Sequence, residues 1–151
     1  MKRILKFPLL FIIGGILYCL IELAARGYTH WTMGIVGGFC FVLIGLLNEF
    51  FDWSIPLFDQ GLIGSFIVTA AELISGIILN IHLGLDIWDY SNMPFNFLGQ
   101  ICLPFTILWI FVSMIAVIVD DWLRYLIDKL LNYLSKGKYN IEEEMPHYKI
   151  F

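Results

Sequence analysis

Apolar residues dominate four long stretches of the chain, which are separated by short polar segments. The stretches cover residues 7–25, 31–50, 61–80 and 97–119. Each holds about 20 residues, and a helix of that length, rising about 1.5 Å per residue, crosses roughly 30 Å of hydrocarbon. The pattern therefore predicts four transmembrane helices, the first to fourth spans.

Residues 120–136 follow a different pattern, in which aliphatic side chains recur at helical spacing opposite polar ones. Such a segment is typical of an amphipathic helix that lies on a membrane surface. The same pattern also fits a straight extension of the fourth span. Residues 137–151 form a polar tail with glutamates at 142–144, which we expect to be solvated. The aliphatic positions are Leu123, Leu126, Ile127, Leu130, Leu131 and Leu134.

The composition supports a membrane protein. Of the 151 residues 60% are hydrophobic, and the mean hydropathy is +0.82, whereas a soluble domain is about half apolar. A short chain has a large surface relative to its volume, so a soluble fold would expose much of this excess. We predict an all-α membrane protein with four transmembrane helices (1–119), a C-terminal amphipathic interfacial helix (120–136) and a polar tail.

The basic residues predict the orientation. Of the nine lysines and arginines, only Arg26 lies between two spans. Because basic residues near span ends stay on the cytoplasmic side, we expect a multi-pass protein of the cell membrane with both termini in the cytoplasm. The basic start and first apolar run also resemble a signal peptide, but Glu22 interrupts the region of the cleavage site, so we keep the first span.

Small and polar residues line one face of every span at intervals of three or four positions. In lipid, helices associate through close backbone approach and hydrogen bonds rather than through a hydrophobic force. We therefore expect these faces to meet, and the glycine-rich second span is also a candidate surface for a homo-oligomer. The glycines assigned to helix packing are Gly34, Gly38, Gly45 and Gly76.

Glu72 lies near the centre of the third span, where a charged side chain costs at least roughly 2.5 kcal/mol. Its side chain is too short to reach water, which leaves protonation, a buried partner or a water-filled cavity. Because ionisable groups within a membrane are functional candidates, we predict a polar cavity for a small solute or cation. Its residues are Glu72, Glu22, Asn80, Ser75 and Tyr18.

Two other acidic residues have simpler explanations. Glu22 lies one helical turn before Arg26 and could form an ion pair with it. Glu49 lies near the inner end of the second span, where we expect it to reach water without a partner. The three cysteines, Cys19, Cys40 and Cys102, fall within the predicted spans, and we expect no disulfide.

The connection between the third and fourth spans is rich in polar and turn-forming residues, so we predict a structured loop that covers the outer end of the bundle as a lid or entrance. Pro94 and Asn96 suggest a tight turn into the fourth helix. His82, Asp86 and Asp89 make a weak metal site, and we predict neither metal nor cofactor. The loop residues singled out are Trp88, Asp89, Tyr90, Ser91 and Asn96.

The string ELISGIILNIHLGLDIWDYSNMPFNFLGQICLPFTILW at residues 72–109, with LNEFF at 47–51 and DDWLRYLI at 120–127, resembles the "putative type IV ABC-transporter permease" family of small bacterial membrane proteins. The resemblance implies a transport component of the bacterial inner membrane. Because the chain lacks G-x4-G-K-[ST], an ATPase would be a separate subunit. The matching positions are Glu72, Gly76, Asn80, Trp88, Asp89, Tyr90, Ser91, Asn96 and Gly99.

These observations favour a membrane transport or permease component of unknown substrate. The first alternative is a non-transporting accessory or scaffold protein that binds a partner subunit. The second is an intramembrane enzyme that uses His82, Asp86 or Asp89 on lipid headgroups, but no pair of nucleophile and base is evident, so we expect no enzyme. A formal net charge of -4 and the lack of a basic aromatic patch argue against nucleic-acid binding.

Overall fold

The computed structural model describes residues 2–51, 53–135 and 145–150. Helix α1 spans Lys2–Arg26, α2 spans Trp31–Gly45, and the short helix α3 spans Leu47–Phe51. Helix α4 covers Leu57–Gly76 and continues as a π-helical turn over Ile77–His82. Strands β1 (Asn96–Phe97) and β2 (Ile101–Cys102) lead into α5 (Leu103–Leu134).

Four helical segments are long and apolar enough to cross a membrane, which confirms the predicted fold class. They are Lys6–Arg26, Trp31–Phe51, Leu57–His82 and Leu103–Leu134. The sequence did not predict the small antiparallel hairpin, in which Asn96 pairs with Cys102 and Phe97 with Ile101.

Helix α1 packs along α2, α4 packs along α5, and α2 contacts both α4 and α5. The buried apolar centre of this bundle includes Ile44, Val68, Trp109 and Val117. Large apolar side chains also cover the outside, as Phe39, Phe66 and Phe111 show. An apolar exterior around a bundle that contains buried polar groups is the arrangement that a lipid environment favours.

The glycines of α2 pack against helices of the same chain. A Cβ atom at Gly38 would lie 2.6 Å from the Phe11 carbonyl oxygen, and one at Gly45 would overlap the Asp120 carboxyl group. Gly34 is less crowded, since its Cβ would lie 3.3 Å from the Cys19 sulfur. Within the chain, α1 and α5 therefore contact these glycines.

The fourth span differs from the prediction at both ends. It begins at Leu103 rather than at residue 97, because residues 96–102 form the hairpin, and Pro104 occupies the first turn, where a missing N–H costs nothing. The helix then continues for 32 residues to Leu134. The segment expected as a separate interfacial helix is therefore an extension of the fourth span, since residues 105–136 contain no proline or glycine that would end the helix.

The C-terminal segment also differs from the prediction. Residues 145–150, expected in a solvated tail, return to the bundle, whereas residues 137–144 and 151 lie outside the described part. The backbone N–H of Leu57 donates to the Lys149 carbonyl at 2.7 Å, and His147 stacks on Trp53 with 5.0 Å between ring centroids. The first N–H groups of a helix lack partners within the helix, and the returning chain accepts hydrogen bonds from two of them in α4, those of Leu57 and Phe58.

Candidate functional site

Glu72 lies inside the bundle, with only 3% of the residue exposed. Its Oε2 accepts a hydrogen bond of 2.9 Å from the indole Nε1 of Trp109 on α5. Helices α4 and α5 are held in this register by Ser65, whose hydroxyl donates to the Thr106 carbonyl at 2.5 Å. Of the explanations considered for a mid-span acid, the structure shows a buried hydrogen-bond partner.

Aromatic side chains surround this acid. Tyr18 of α1 stacks on Trp109 with ring centroids 5.9 Å apart. Tyr90 of the outer loop stacks on Phe105 at 4.8 Å, and burial together with the nearby Glu72 carboxyl group raises the pKa of Tyr90 above its ordinary value. The loop therefore brings a tyrosine towards the Glu72 carboxyl group, which α1, α4 and α5 enclose and which we call the acidic centre.

Glu22 forms the ion pair that its spacing suggested, with Arg26 one turn later. Its other carboxylate oxygen accepts from the Thr29 hydroxyl at 2.5 Å. Arg26 also donates to the Ile87 carbonyl at 3.4 Å, which links the end of α1 to the outer loop. Glu22 thus belongs to the attachment of the loop as well as to the outer end of the bundle.

Asn80 fastens the outer loop to the bundle. Its amide nitrogen donates to the Trp88 carbonyl at 3.0 Å and to Gln100 Oε1 at 2.8 Å, while its oxygen accepts from the Ile87 N–H at 2.8 Å. The side chain projects from a π-helical turn, a feature often found at functional sites. The Trp88 indole donates to the Gln100 carbonyl at 2.9 Å, so Gln100, which the sequence did not single out, completes the attachment.

The remaining loop residues are held by hydrogen bonds within the loop. Asp89 Oδ1 accepts from the backbone N–H and the hydroxyl of Ser91, at 2.8 and 2.5 Å, and these bonds lower the pKa of Asp89. Asn96 donates to the carbonyls of Ser91 and Met93. Gly99 has a φ of +67°, and a Cβ there would lie 2.6 Å from Ser91 Oγ, so both the conformation and the close contact require glycine.

The weak metal site does not assemble. His82 and Asp86 are exposed, and Asp89 is engaged with Ser91. Among the residues that the structure describes, no group of three or more His, Cys, Asp or Glu side chains could hold a metal ion.

A cavity of about 520 Å³ lies between α1 and α5, with further walls from α2 and α4. Its lining is almost entirely apolar and includes Tyr18, Trp109 and Ser113. Of the five residues predicted to form a polar cavity, Tyr18 lines this apolar one. Trp109 connects it to Glu72 through its hydrogen bond. Ser75 instead donates to the Ala71 carbonyl of its own helix at 2.6 Å.

The four packing glycines serve different neighbours. Gly34 and Gly38 face α1, where Cys19 and Phe11 would meet an added Cβ, and Gly45 faces Asp120. A Cβ at Gly76 would lie 2.5 Å from Gln100 Oε1, so this glycine makes room for the loop rather than for a helix.

A second polar cluster, which was not predicted as a unit, lies at the end of the bundle opposite the outer loop; we call this end the inner end. Asp120 and Arg124 of α5 form a buried ion pair, and Arg124 also lies 3.9 Å from Glu49. Asp121 accepts from the Asn48 amide at 2.7 Å and from the Tyr148 hydroxyl at 3.2 Å. The spacing of Asp120 and Arg124, four residues apart, was the available signal.

Two ion pairs at this inner end were not predicted. Glu49, expected to reach water without a partner, has Arg124 as an ion-pair partner. Lys6 at the start of α1 forms an ion pair of 2.5 Å with Asp128 of α5. The polar face of the last turns of α5 therefore faces the bundle, and leucines such as Leu126 and Leu130 face outward.

A comparison with protein families adds to this geometry. A family model described as "Putative ABC-transporter type IV" matches residues 11–141, which include the acidic centre, the outer loop and most of α5. The chain belongs to this family. With its four apolar spans it is a multi-pass membrane protein. Neither the curated proteins nor the solved structures contain a match to the chain.

Proposed function

We propose that the chain is the permease component of a transport system, and that Glu72 together with the outer loop lines the route of a small solute or cation. The observation that carries this proposal is the Glu72 carboxyl group, buried at mid-span and hydrogen-bonded to Trp109. A charged or neutral acid at this depth is costly, and such groups commonly mark ion or substrate pathways. Membership of a transporter family supports the same function.

In this proposal the outer loop is the lid of the route. Arg26 donates to the Ile87 carbonyl, and Asn80 donates to the Trp88 carbonyl and accepts from the Ile87 N–H, so both residues hold the loop on the bundle. Tyr90, close to Glu72, would move whenever these attachments open. Opening of the loop would expose the acidic centre from the outer side, and closing would return it to the buried state described above.

The route would need more protein than this chain supplies. Four helices enclose little volume, and the sequence has no ATP-binding motif, so we propose a separate ATPase subunit and a homo-oligomer or partner membrane subunit. The basic termini favour a cytoplasmic position for both chain ends in the cell membrane. The inner polar cluster, with Lys6 and Arg124, would then lie at the cytoplasmic boundary.

Reconstituted liposomes test the proposal. The protein is incorporated into vesicles that contain a pH-sensitive dye, a potassium diffusion potential is imposed, and proton influx is recorded. Radioactive rubidium uptake is measured in parallel as a cation probe. We expect wild type and Glu49→Gln to give flux above empty vesicles, and Glu72→Gln to lose it. Flux that exceeds that of empty vesicles and is equal in wild type and Glu72→Gln would remove Glu72 from the route.

The alternative of an accessory or scaffold protein is favoured by one observation. Glu22, Glu72, Ser75 and Asn80 all form hydrogen bonds within the chain, as residues that only hold a bundle together would. In that case Glu72→Gln should lower the melting temperature in detergent without altering flux. A membrane subunit that co-purifies at fixed stoichiometry would support this alternative.

A further inference from the structure

The outer loop exposes three large apolar side chains at one short hairpin. Phe95 is 83% exposed, Phe97 55% and Leu98 56%. We call these three residues the hairpin tip. Contiguous apolar surface on an extramembrane segment commonly marks an interaction site, because water does not favour it.

The backbone holds the tip in an outward position. Phe95 and Leu98 have φ angles of +54° and +55°, in the left-handed region that bulky residues rarely adopt. Asn96 between them is bound to the Ser91 and Met93 carbonyls and accepts from the Gly99 N–H at 3.2 Å. Such strained backbone conformations persist only where neighbouring contacts enforce them. The fold of the loop therefore fixes the exposed position of the tip.

The chemistry of this region matches lipid. From residue 90 to residue 119 the sequence contains no charged residue and no histidine. Helix α5 begins directly after the hairpin, and its first exposed side chains, Leu103 and Ile107, are apolar as well. The apolar surface of the tip therefore continues the lipid-facing surface of the fourth span.

The depth of the hairpin also fits. Arg26, at the end of α1, donates to the loop at Ile87, and the indole of Trp88 is bonded to the Gln100 carbonyl within the hairpin turn. Arginine side chains near the ends of membrane-spanning helices place their charged groups at the level of the lipid headgroups. Because the hairpin is attached at this level, the apolar side chains of its tip can reach the boundary between headgroups and acyl chains.

We propose that the hairpin tip inserts into the phospholipid leaflet on the outer side of the membrane and anchors the outer loop there. The loop is then held from two sides, by Asn80 and Arg26 on the bundle and by Phe95, Phe97 and Leu98 in lipid. This interaction does not depend on which solute the protein handles.

Spin labels measure the depth of the tip. Cys19 is replaced by alanine, the buried Cys40 and Cys102 are kept, and single cysteines are placed at Phe95, Phe97 and Leu98 in the full chain reconstituted in phosphatidylcholine and phosphatidylglycerol vesicles. Collisions with oxygen, which concentrates in hydrocarbon, are compared with collisions with a water-soluble nickel chelate. Asn92→Cys, at an exposed position of the same loop, is the matched control.

We expect the three tip labels to collide preferentially with oxygen and the label at residue 92 with nickel. Preferential collision with nickel at the tip would place it in water and overturn the proposal. Labels shielded from both reagents would show a tip covered by protein, which also overturns it. Unmodified protein gives an independent result: a phosphatidylcholine with a photoreactive group near its headgroup should cross-link to residues 95–98, and no cross-link there contradicts lipid insertion.

Discussion

The indole of Trp109 donates a hydrogen bond of 2.9 Å to Glu72 across the interface between α4 and α5. This contact explains how an acid is accommodated at mid-span, since a buried acceptor without a partner would be far more costly. It also joins the acidic centre to the apolar cavity between α1 and α5, because Trp109 belongs to both. The consequences of this arrangement can be measured at several positions.

Replacing Trp109 by phenylalanine removes the donor to Glu72. We expect this change to destabilise the protein, and we expect Glu72→Leu to interact with it energetically because each variant removes the same hydrogen bond. A double-mutant cycle by thermal unfolding in detergent should give a coupling energy of about 0.6–2 kcal/mol, the range for hydrogen bonds between membrane helices. Additive effects would show that the two side chains do not cooperate.

Asn80→Leu should release the outer loop. Three hydrogen bonds to Ile87, Trp88 and Gln100 would be lost, with a cost of about 2–3 kcal/mol. Hydrogen exchange followed by mass spectrometry should show faster exchange across residues 83–100. Ser75→Ala is the control, since Ser75 bonds only to its own helix, at the Ala71 and Glu72 carbonyls, and should leave the loop unchanged.

The buried ion pair at the inner end predicts an asymmetric pair of variants. Arg124→Met leaves Asp120 buried beside Gly45 without its cation, and we expect a loss of about 3 kcal/mol or more in unfolding free energy. The double variant Asp120→Asn with Arg124→Met should recover most of this loss. Glu49→Gln, which affects only a longer and partly exposed contact to Arg124, should cost less than about 1 kcal/mol. An Arg124→Met protein as stable as wild type would contradict the assigned pairing.

Two glycines on the same helix should respond differently to alanine. Gly45→Ala forces the fully buried Asp120 carboxyl group to move, and we expect a loss of about 1–3 kcal/mol. Gly34→Ala meets only the Cys19 sulfur at 3.3 Å, which can shift, and the better helix propensity of alanine should offset the contact. Melting temperatures in one detergent give the comparison, and equal effects would disagree with the described packing of α2.

The spans could be predicted from the sequence because run length and apolarity alone determine whether a helix crosses a bilayer. The start of the fourth span could not. Residues 97–102 are as apolar as a helix, but they form a hairpin. Side-chain hydrogen bonds support it, since Asn96 donates to the Met93 carbonyl and Gln100 accepts from Asn80, 20 residues earlier in the chain. The pattern of apolar and polar residues along the chain does not identify such hydrogen-bond partners.

The sequence singled out Glu72 as a candidate, but it did not reveal the contacts of this residue. Glu72 stands out as an acid in an apolar run, but its partner depends on the rotation of α4 relative to α5, which the sequence does not specify. Trp109 looked like one more apolar residue of the fourth span for this reason. Likewise, the return of Tyr148 to Asp121 depends on the path of the chain after α5.

The most direct test of the account is the flux and the melting temperature of Glu72→Gln measured on the same reconstituted preparation. Glutamine has nearly the same shape and can still accept the Trp109 hydrogen bond, so we expect the protein to remain folded while flux falls to the level of empty vesicles. Glu72→Gln with unchanged flux and an unchanged melting temperature would contradict a role for this acid in transport.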